Sequence, residues 1–413
     1  MSFLARLRDF VEEQSNNYRV LLVRDIVASF MMQLVSNFND LYITALGASA
    51  LELSSIRAFG SGVSAIISMP AGWLSDVYSL KKIMTLGMLV QIVSVTFYAF
   101  AQDWTWIYVA IVFATITMTL VFRIGNIIVA NSLADSNRAT GYGIRTTIMQ
   151  FFSIFSPTIG GLLVHFFGGI SVEGIRPLYF IQLIGYSLVT IFVALKLTDV
   201  ETVDSVDTRE FFGHYREMLQ SGSHLKLFAF LQALGSITWG MSMPFPFVYA
   251  ADFKGADSLL IGYMGTVFVL ASMVLAIPMG ALADSRGRKF TIYLTRPFFY
   301  LSYLLLVLAP KGAWWVLLLA WACRGVMMSS RAWMTMSMEM VPKEYRGRWT
   351  GFSSLLQNLV RVPAMLVGGY IYESINPALV FLIPIAVDAL IRLPLLTRVP
   401  ETMKIEDLSM EDN

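Results

Sequence analysis

Pro70-Ala71-Gly72-Trp73-Leu74-Ser75-Asp76 and Pro278-Met279-Gly280-Ala281-Leu282-Ala283-Asp284 are one stretch written twice. Pro, Gly, Leu and Asp recur at an offset of 208 residues, each time at the end of an apolar run. Arg123 and Arg331 share that offset, and Arg138-Ala139-Thr140-Gly141 matches Arg348-Trp349-Thr350-Gly351 at an offset of 210. Further on, Pro157 with Gly160-Gly161 corresponds to Pro363 with Gly368-Gly369. Coincidences this numerous in nearly one register imply a duplicated unit filling each half of the chain, a construction common among alternating-access carriers.

The composition says what solvent that unit lives in. Of 413 residues, 56% are hydrophobic and 14% charged, against about 25% charged in ordinary soluble chains. Mean hydropathy is +0.64. A soluble core could not hide so much apolar surface, so the remaining partner is the lipid bilayer. A net charge of +2 gives no reason to expect a nucleic-acid partner. The single Cys323 excludes an internal disulfide. Met1 to Tyr18 mixes Arg6, Arg8, Asp9, Glu12 and Glu13 and has no cleavable signal pattern, so the first span is expected to insert and remain.

At about 20 apolar residues per span, the sequence predicts twelve spans. The first half holds roughly 19–46, 54–76, 80–101, 105–132, 141–167 and 177–197. The second holds roughly 223–250, 258–283, 289–309, 313–340, 350–374 and 376–399. The expected organisation is a six-helix bundle over 1–197, an acidic linker over 198–222, and a second bundle with a short tail over 223–413. Eighteen Lys and Arg fall in one set of connections and tails; only Arg176, Lys254 and Lys311 fall in the other. The positive-inside rule then predicts both termini and the linker on the cytoplasmic side, and a plasma (inner) membrane location is expected.

Gly280-Ala-Leu-Ala-Asp284-Ser-Arg-Gly287-Arg288-Lys289 resembles the signature Gly-x-Leu-x-Asp-Arg-x-Gly-Arg-Lys of the major facilitator superfamily, with Ser285 in place of the first Arg. The first-half copy, from Gly72 through Asp76 to Lys81-Lys82, lacks that Arg and the second Gly. The resemblance covers essentially the whole chain. It implies an all-α membrane protein with twelve transmembrane helices in two pseudo-symmetric six-helix bundles. Ser156-Pro157-Thr158-Ile159-Gly160-Gly161 is similar to a signature of the drug/proton-antiporter branch, which implies export; a bend for packing explains the same residues. At the signature, a small residue admits close helix approach, and a carboxylate can cap a helix start or pair with loop bases. Gly72, Asp76, Gly280, Asp284 and Arg288 are therefore expected to gate the cytoplasmic side, with simple basic anchoring as the other reading.

In this superfamily the resemblance implies that spans 1, 4, 7 and 10 line the cavity, and each carries one polar stripe at helical spacing. Span 1 has Asp25, Ser29, Met32, Ser36 and Asn39-Asp40; span 4 has Thr115, Thr119, Arg123 and Asn126. Span 7 has Gln232, Ser236, Trp239 and Met243; span 10 has Arg324, Met328, Arg331 and Thr335, its two arginines about 10 Å apart on an unbroken helix. Ionisable groups at bilayer depth are costly and mark function. The predicted substrate cavity is thus Asn37, Asp40, Arg123, Asn126, Gln232, Trp239, Arg324 and Arg331. Asp25, Asp40 and Asp388 are candidates for proton coupling, although Asp388 with Arg392 at i, i+4 also reads as a structural ion pair. Asp40, absent from the matching stretch Phe245-Pro246-Phe247, also reads as a helix cap.

His165, His214 and His224 have no metal-ligand company, and no metal or cofactor is expected. No phosphate loop, His-Glu-x-x-His pair or Gly-x-Ser-x-Gly turn is present, which argues against an enzyme or an ATP-driven pump. A sensor that keeps the fold without transporting is a further reading. The sequence predicts a monomeric, alternating-access carrier for a small-molecule substrate, proton-coupled, exporting amphipathic molecules; uptake of an anionic organic solute is the alternative.

Overall fold

A computed structural model describes residues 14–67, 79–133, 138–199, 224–342 and 345–403, excepting the side chains of 119, 123, 138 and 139. Every regular element among them is helical. In the first half these are α1 (Asn16–Ser36), α2 (Asn39–Ala45), α3 (Ala50–Ile67), α4 (Leu80–Phe100), α5 (Trp106–Asn131), α6 (Arg138–Ser153), α7 (Ser156–Phe166) and α8 (Val172–Lys196). The second half has α9 (Leu225–Ser242), α10 (Pro246–Lys254), α11 (Ser258–Arg286), α12 (Arg288–Leu308), α13 (Trp314–Ser329), α14 (Ala332–Glu339), α15 (Arg346–Ser374) and α16 (Leu379–Val387). A π-helical turn over Asp388–Arg392 then leads into α17 (Leu393–Leu396). Gly72 and Asp76, and the linker expected over 198–222 from residue 200 on, lie outside the described residues.

Among the described residues seven stretches are long and apolar enough to cross a bilayer unaided, and α1 with α2, bent by 45°, makes an eighth. The other four spans depart from an unbroken apolar rod for visible reasons. Span 2 is described only as α3, spans 7 and 10 are each broken in two, and α15 carries Arg346, Arg348, Arg361 and Glu373. At 1.5 Å per residue, the 29 residues of α15 still extend about 43 Å, beyond the hydrocarbon thickness. Ile66, Phe166, Leu195, Ile277, Leu308 and Leu390 are each at least 74% exposed, a pattern that only lipid tolerates.

Four spans expected as continuous helices are broken instead, at 37–38, 154–155, 243–245 and 330–331. Pro157 and Pro246 stand in the first turn of α7 and α10, where a missing N–H costs nothing but the preceding helix cannot continue. Span 1 breaks without proline: Asn37 caps α1, and the buried Phe38 starts α2. Phe38 and Phe245, 207 residues apart, occupy the same place in the two breaks.

The chain divides into two compact units, Met1–Gly47 with Ile66–Val206, and Ala48–Ala65 with Asp207–Asn413. Residues 48–65, expected in the bundle over 1–197, group with the second unit by their contacts. Those residues are tied within the second unit: Leu51 N donates to Glu373 at 2.8 Å, and Ser61 Oγ approaches Met365 Sδ at 3.8 Å. In the first unit Tyr18, Leu21, Met84, Val121, Ile124 and Val193 form the core; in the second, Leu225, Phe228, Ile292, Met336, Trp349 and Leu396 do.

One crossing is built alike in both units. A Cβ on Gly160 of α7 would stand 2.3 Å from the Leu34 carbonyl oxygen of α1. A Cβ on Gly368 of α15 would stand 2.5 Å from the Met241 carbonyl oxygen of α9. Only glycine admits backbone at that distance, so the repeated glycines hold span 5 against span 1 and span 11 against span 7.

Candidate functional site

The second unit contains a cavity of about 200 Å³. Its wall takes Gln232, Gly235, Ser236 and Trp239 from α9, Arg296 from α12, and Gln357 and Arg361 from α15. The break after α13 brings in Met327, Met328 and Ser330 on one side and Trp333 on the other, and the π turn supplies Arg392. A π turn adds a residue to the helical repeat and is frequent where function demands a displaced side chain.

Asp388 organises the base of this wall. It is fully buried and pairs with Arg392 Nη1 at 3.0 Å and Arg296 Nη1 at 3.5 Å, and Tyr300 Oη donates to it at 2.8 Å. Arg392 Nε donates to the Leu231 carbonyl at 2.9 Å. Both guanidiniums lie over the Trp333 ring, Arg392 at 3.9 Å and Arg296 at 5.7 Å from its centroid. The Asp388–Arg392 pair expected at i, i+4 is thus present and enlarged to a triad. A buried carboxylate is sustained only by such pairing, because isolated charge at this depth is prohibitively costly. Gly235 makes room for it: a Cβ there would lie 2.6 Å from the Arg392 guanidinium carbon.

A polar relay crosses the wall. Gln357 Nε2 donates to Gln232 Oε1 at 3.4 Å, Gln232 Nε2 to Ser337 Oγ at 2.7 Å, and Trp349 Nε1 to the same oxygen at 3.0 Å. Arg361 differs. Its Nε is sealed from solvent without an acceptor, and the guanidinium has no hydrogen-bond or ion-pair partner among the described residues.

The first unit has its own buried acid. Asp25 is paired with Arg24 Nη1 at 2.5 Å and with both Nε and Nη2 of Arg145 at 2.6 Å. Arg145 Nη1 also donates to Asn126 Oδ1 at 3.0 Å, which joins spans 1, 4 and 5. The expected mutual pairing of Arg24 and Asp25 is present, with Arg145 added.

Of the residues expected to line a cavity, Gln232 and Trp239 do so here, and Asn126 joins the Asp25 cluster. Arg324 lies over the Trp239 and Tyr303 rings at 5.7 and 5.3 Å and is not part of the cavity wall. Arg331 is exposed at the break before α14, so the single face predicted for Arg324 and Arg331 does not exist: the helix between them is interrupted. Asn37 is buried at the break after α1, and Asp40 sits in the first turn of α2, where a carboxylate complements the helix dipole. Arg123 lies on α5, its side chain outside the described residues. Arg145 and Arg296 are the additions, and Arg361, which the sequence already puts near the middle of span 11, joins them. They lie in spans 5, 9 and 11, outside the four spans expected to line the cavity, although each is an arginine inside an apolar run.

At the start of α12, Arg288 gathers the gating candidates. It pairs with Asp284 and, through Nη2 at 2.8 Å, with Glu339 at the end of α14. Thr402 Oγ1 donates to Glu339 at 2.6 Å, and Glu401 accepts from the backbone N–H of Arg288 and Lys289, both at 2.9 Å. Glu401 thereby caps a helix whose N-cap, Gly287, has no side chain to do so. Among the described residues Gly280 meets nothing within 4 Å, so the close approach expected there is not seen with any of them. Among the described residues no group of three or more metal-ligating side chains assembles.

Two helical membrane units that share one break and one glycine crossing, with a polar cavity among the helices of the second, have the architecture of a secondary transporter, not of an enzyme. The chain belongs to the Major Facilitator Superfamily, whose model matches residues 26–235 and again 228–407. No curated protein sequence matches it. Its fold is similar to that of the nucleoside transporter NupG, with 11% identity over 93% of this chain and 99% of that one and a TM-score of 0.76. It is also similar to a D-xylose-proton symporter (12% identity, 94% and 98% covered, TM-score 0.70). A bacterial homologue of the iron transporter ferroportin, in an inward-facing state, gives 12% identity, 96% and 99% covered, and a TM-score of 0.67.

Proposed function

We propose that this carrier is proton-coupled, works by alternating access, and moves a small amphipathic organic solute through a path that includes the cavity of the second unit. The observation that carries this reading is the cavity's mixed wall: Trp239, Trp333, Met327 and Met328 offer apolar and adaptable surface, while Gln232, Gln357 and Arg361 offer fixed polar contacts. Two buried acids suit the coupling role. Asp25 and Asp388 are each held between two arginines, so a proton on either would release guanidiniums to new partners. Asp40, in a helix first turn, is the third candidate. The proton symporter of the same fold is consistent with such coupling.

The stretch that suggested export, Ser156 to Gly161, is used in the crossing of Gly160 on Leu34, which accounts for it without reference to direction. Export of amphipathic molecules stays the first reading, and uptake of an anionic solute is the second, favoured by the excess of arginine over acid in the cavity wall. The Arg288–Asp284–Glu339 cluster would close one face, which the distribution of basic residues makes the cytoplasmic one. We place the protein in the plasma membrane as a monomer with both termini cytoplasmic. The test is flux of a labelled solute panel in proteoliposomes under imposed pH gradients of both signs. Coupled movement should reverse with the gradient and be lost in Asp388→Asn. Flux indifferent to the gradient would remove proton coupling, and no flux of any solute by folded protein would remove the carrier reading.

A further inference from the structure

Three guanidiniums reach the cavity wall, and they are not equivalent. Arg296 and Arg392 share Asp388, and both cover the Trp333 ring; Arg392 also donates to Leu231. Their charge is spent on the protein. Arg361 has no acceptor among the described residues, and its Nε is buried without one. With one carboxylate against three guanidiniums, the wall keeps two positive charges in excess.

Arg361 is partly buried, and a cation drawn out of water without a partner is costly in proportion to its burial. That cost is not relieved by moving away. α15 is fixed beside it by the Gly368–Met241 crossing, and Gly240 of α9 lies so close that a Cβ there would sit 3.0 Å from Arg361 Cγ. The side chain is therefore held against α9, facing a cavity in which Gln232 and Gln357 already bond to each other. What the site lacks is an acceptor of negative charge with two oxygens in a plane, the form that a guanidinium fork matches best. The same wall carries the apolar side chains of Trp239, Met327 and Met328, whereas Trp333 is already covered by Arg392 and Phe228.

We infer that Arg361 is the anchoring residue for the transported solute, and that the solute is a small planar organic monoanion, its carboxylate on Arg361 and its apolar body against Trp239 and the neighbouring Met327 and Met328. This rests on the carrier reading given above, and it specifies the substrate class and the residue that selects it. The residue differs from the arginines that sequence periodicity points to, Arg324 and Arg331, neither of which reaches this wall.

Benzoate, benzamide and benzamidine provide the test: they share size and planarity and differ in head-group charge. Their binding to the purified full-length protein is read as a shift in thermal unfolding and, in proteoliposomes, as competition for flux of labelled benzoate. The wild type should be stabilised by benzoate at millimolar concentration, less by benzamide, and not by benzamidine. Arg361→Lys should weaken benzoate at least about tenfold, because the two-pronged geometry is lost, and Arg361→Gln should erase the difference between benzoate and benzamide. Wild-type protein that prefers benzamidine, fails to distinguish the three, or binds none of them overturns the inference without using a variant. So does an Arg361→Gln variant with normal unfolding that keeps the benzoate preference. If proton-driven flux of some other solute persists in that case, the carrier reading survives and only the anion site falls.

Discussion

Replacing Gly368 by alanine tests whether the helix crossing in the second unit is as tight as its backbone suggests. The new Cβ would stand 2.5 Å from the Met241 carbonyl oxygen and 2.9 Å from Met241 Cα. That is about 0.9 Å short of the 3.4 Å at which ordinary contact begins. The obstacle is main chain, so no rotamer change relieves it and α9 and α15 must separate. Overpacking of this kind costs roughly 1–3 kcal/mol, while alanine returns about 1 kcal/mol through helix propensity. With backbone as the obstacle the upper end applies, giving a net loss of about 2 kcal/mol. Gly351→Ala, in the same helix with nothing within 4 Å, is the control and should gain up to about 1 kcal/mol. Denaturant unfolding of the purified variants in one detergent would show the two separated by about 3 kcal/mol. Equal stability of the two variants would refute the argument.

Asp388→Asn removes the shared partner of Arg296 and Arg392 and should destabilise the second unit by about 3–5 kcal/mol, read by thermal unfolding; an unchanged melting point would mean the triad is not formed. Gly235→Ala would push a methyl to within 2.6 Å of the Arg392 guanidinium, so it should alter transport more than Ala→Gly changes elsewhere in α9, measured as initial flux. Lys254 Nζ donates to the Val307 and Ala309 carbonyls at the end of α12, and Lys254→Met should cost about 1–2 kcal/mol in the same unfolding assay. For topology, single cysteines at Ser205 and at the exposed Lys311 in a Cys323→Ser background should differ in intact cells: an impermeant reagent should label the second and spare the first.

Much of the architecture was legible because it is periodic. The apolar runs mark the spans, and the repeat aligns Phe38 with Phe245, which the structure places at matching breaks. What periodicity does not carry is interruption. Nothing in the apolar pattern of 313–340 marks the extended Ser330 that parts Arg324 from Arg331. Nor does hydropathy distinguish an arginine whose charge is met from one whose charge is not. Arg361 and Arg392 look alike in sequence, and only their neighbours, Asp388 for one and none among the described residues for the other, separate them. Residues 48–65 illustrate a third limit: chain order assigns them to the first half, whereas Glu373 and Met365 hold them in the second unit.

The paired glycine crossings fix where each long helix can flex. A side-chain contact yields by rotamer exchange, but a carbonyl lodged against a glycine behaves like a rivet: it holds or it comes apart. Leu34 lies three residues before the break at 37–38, and Met241 two residues before the break at 243–245. In both units the fastening therefore sits on the long arm of an elbow, immediately short of the joint. Bending stress carried along α1 or α9 cannot spread through the riveted arm. It is delivered to the joint, beyond which α2 and α10 are fastened separately, Tyr42 to Tyr98 and Tyr179, and Tyr249 to Phe381.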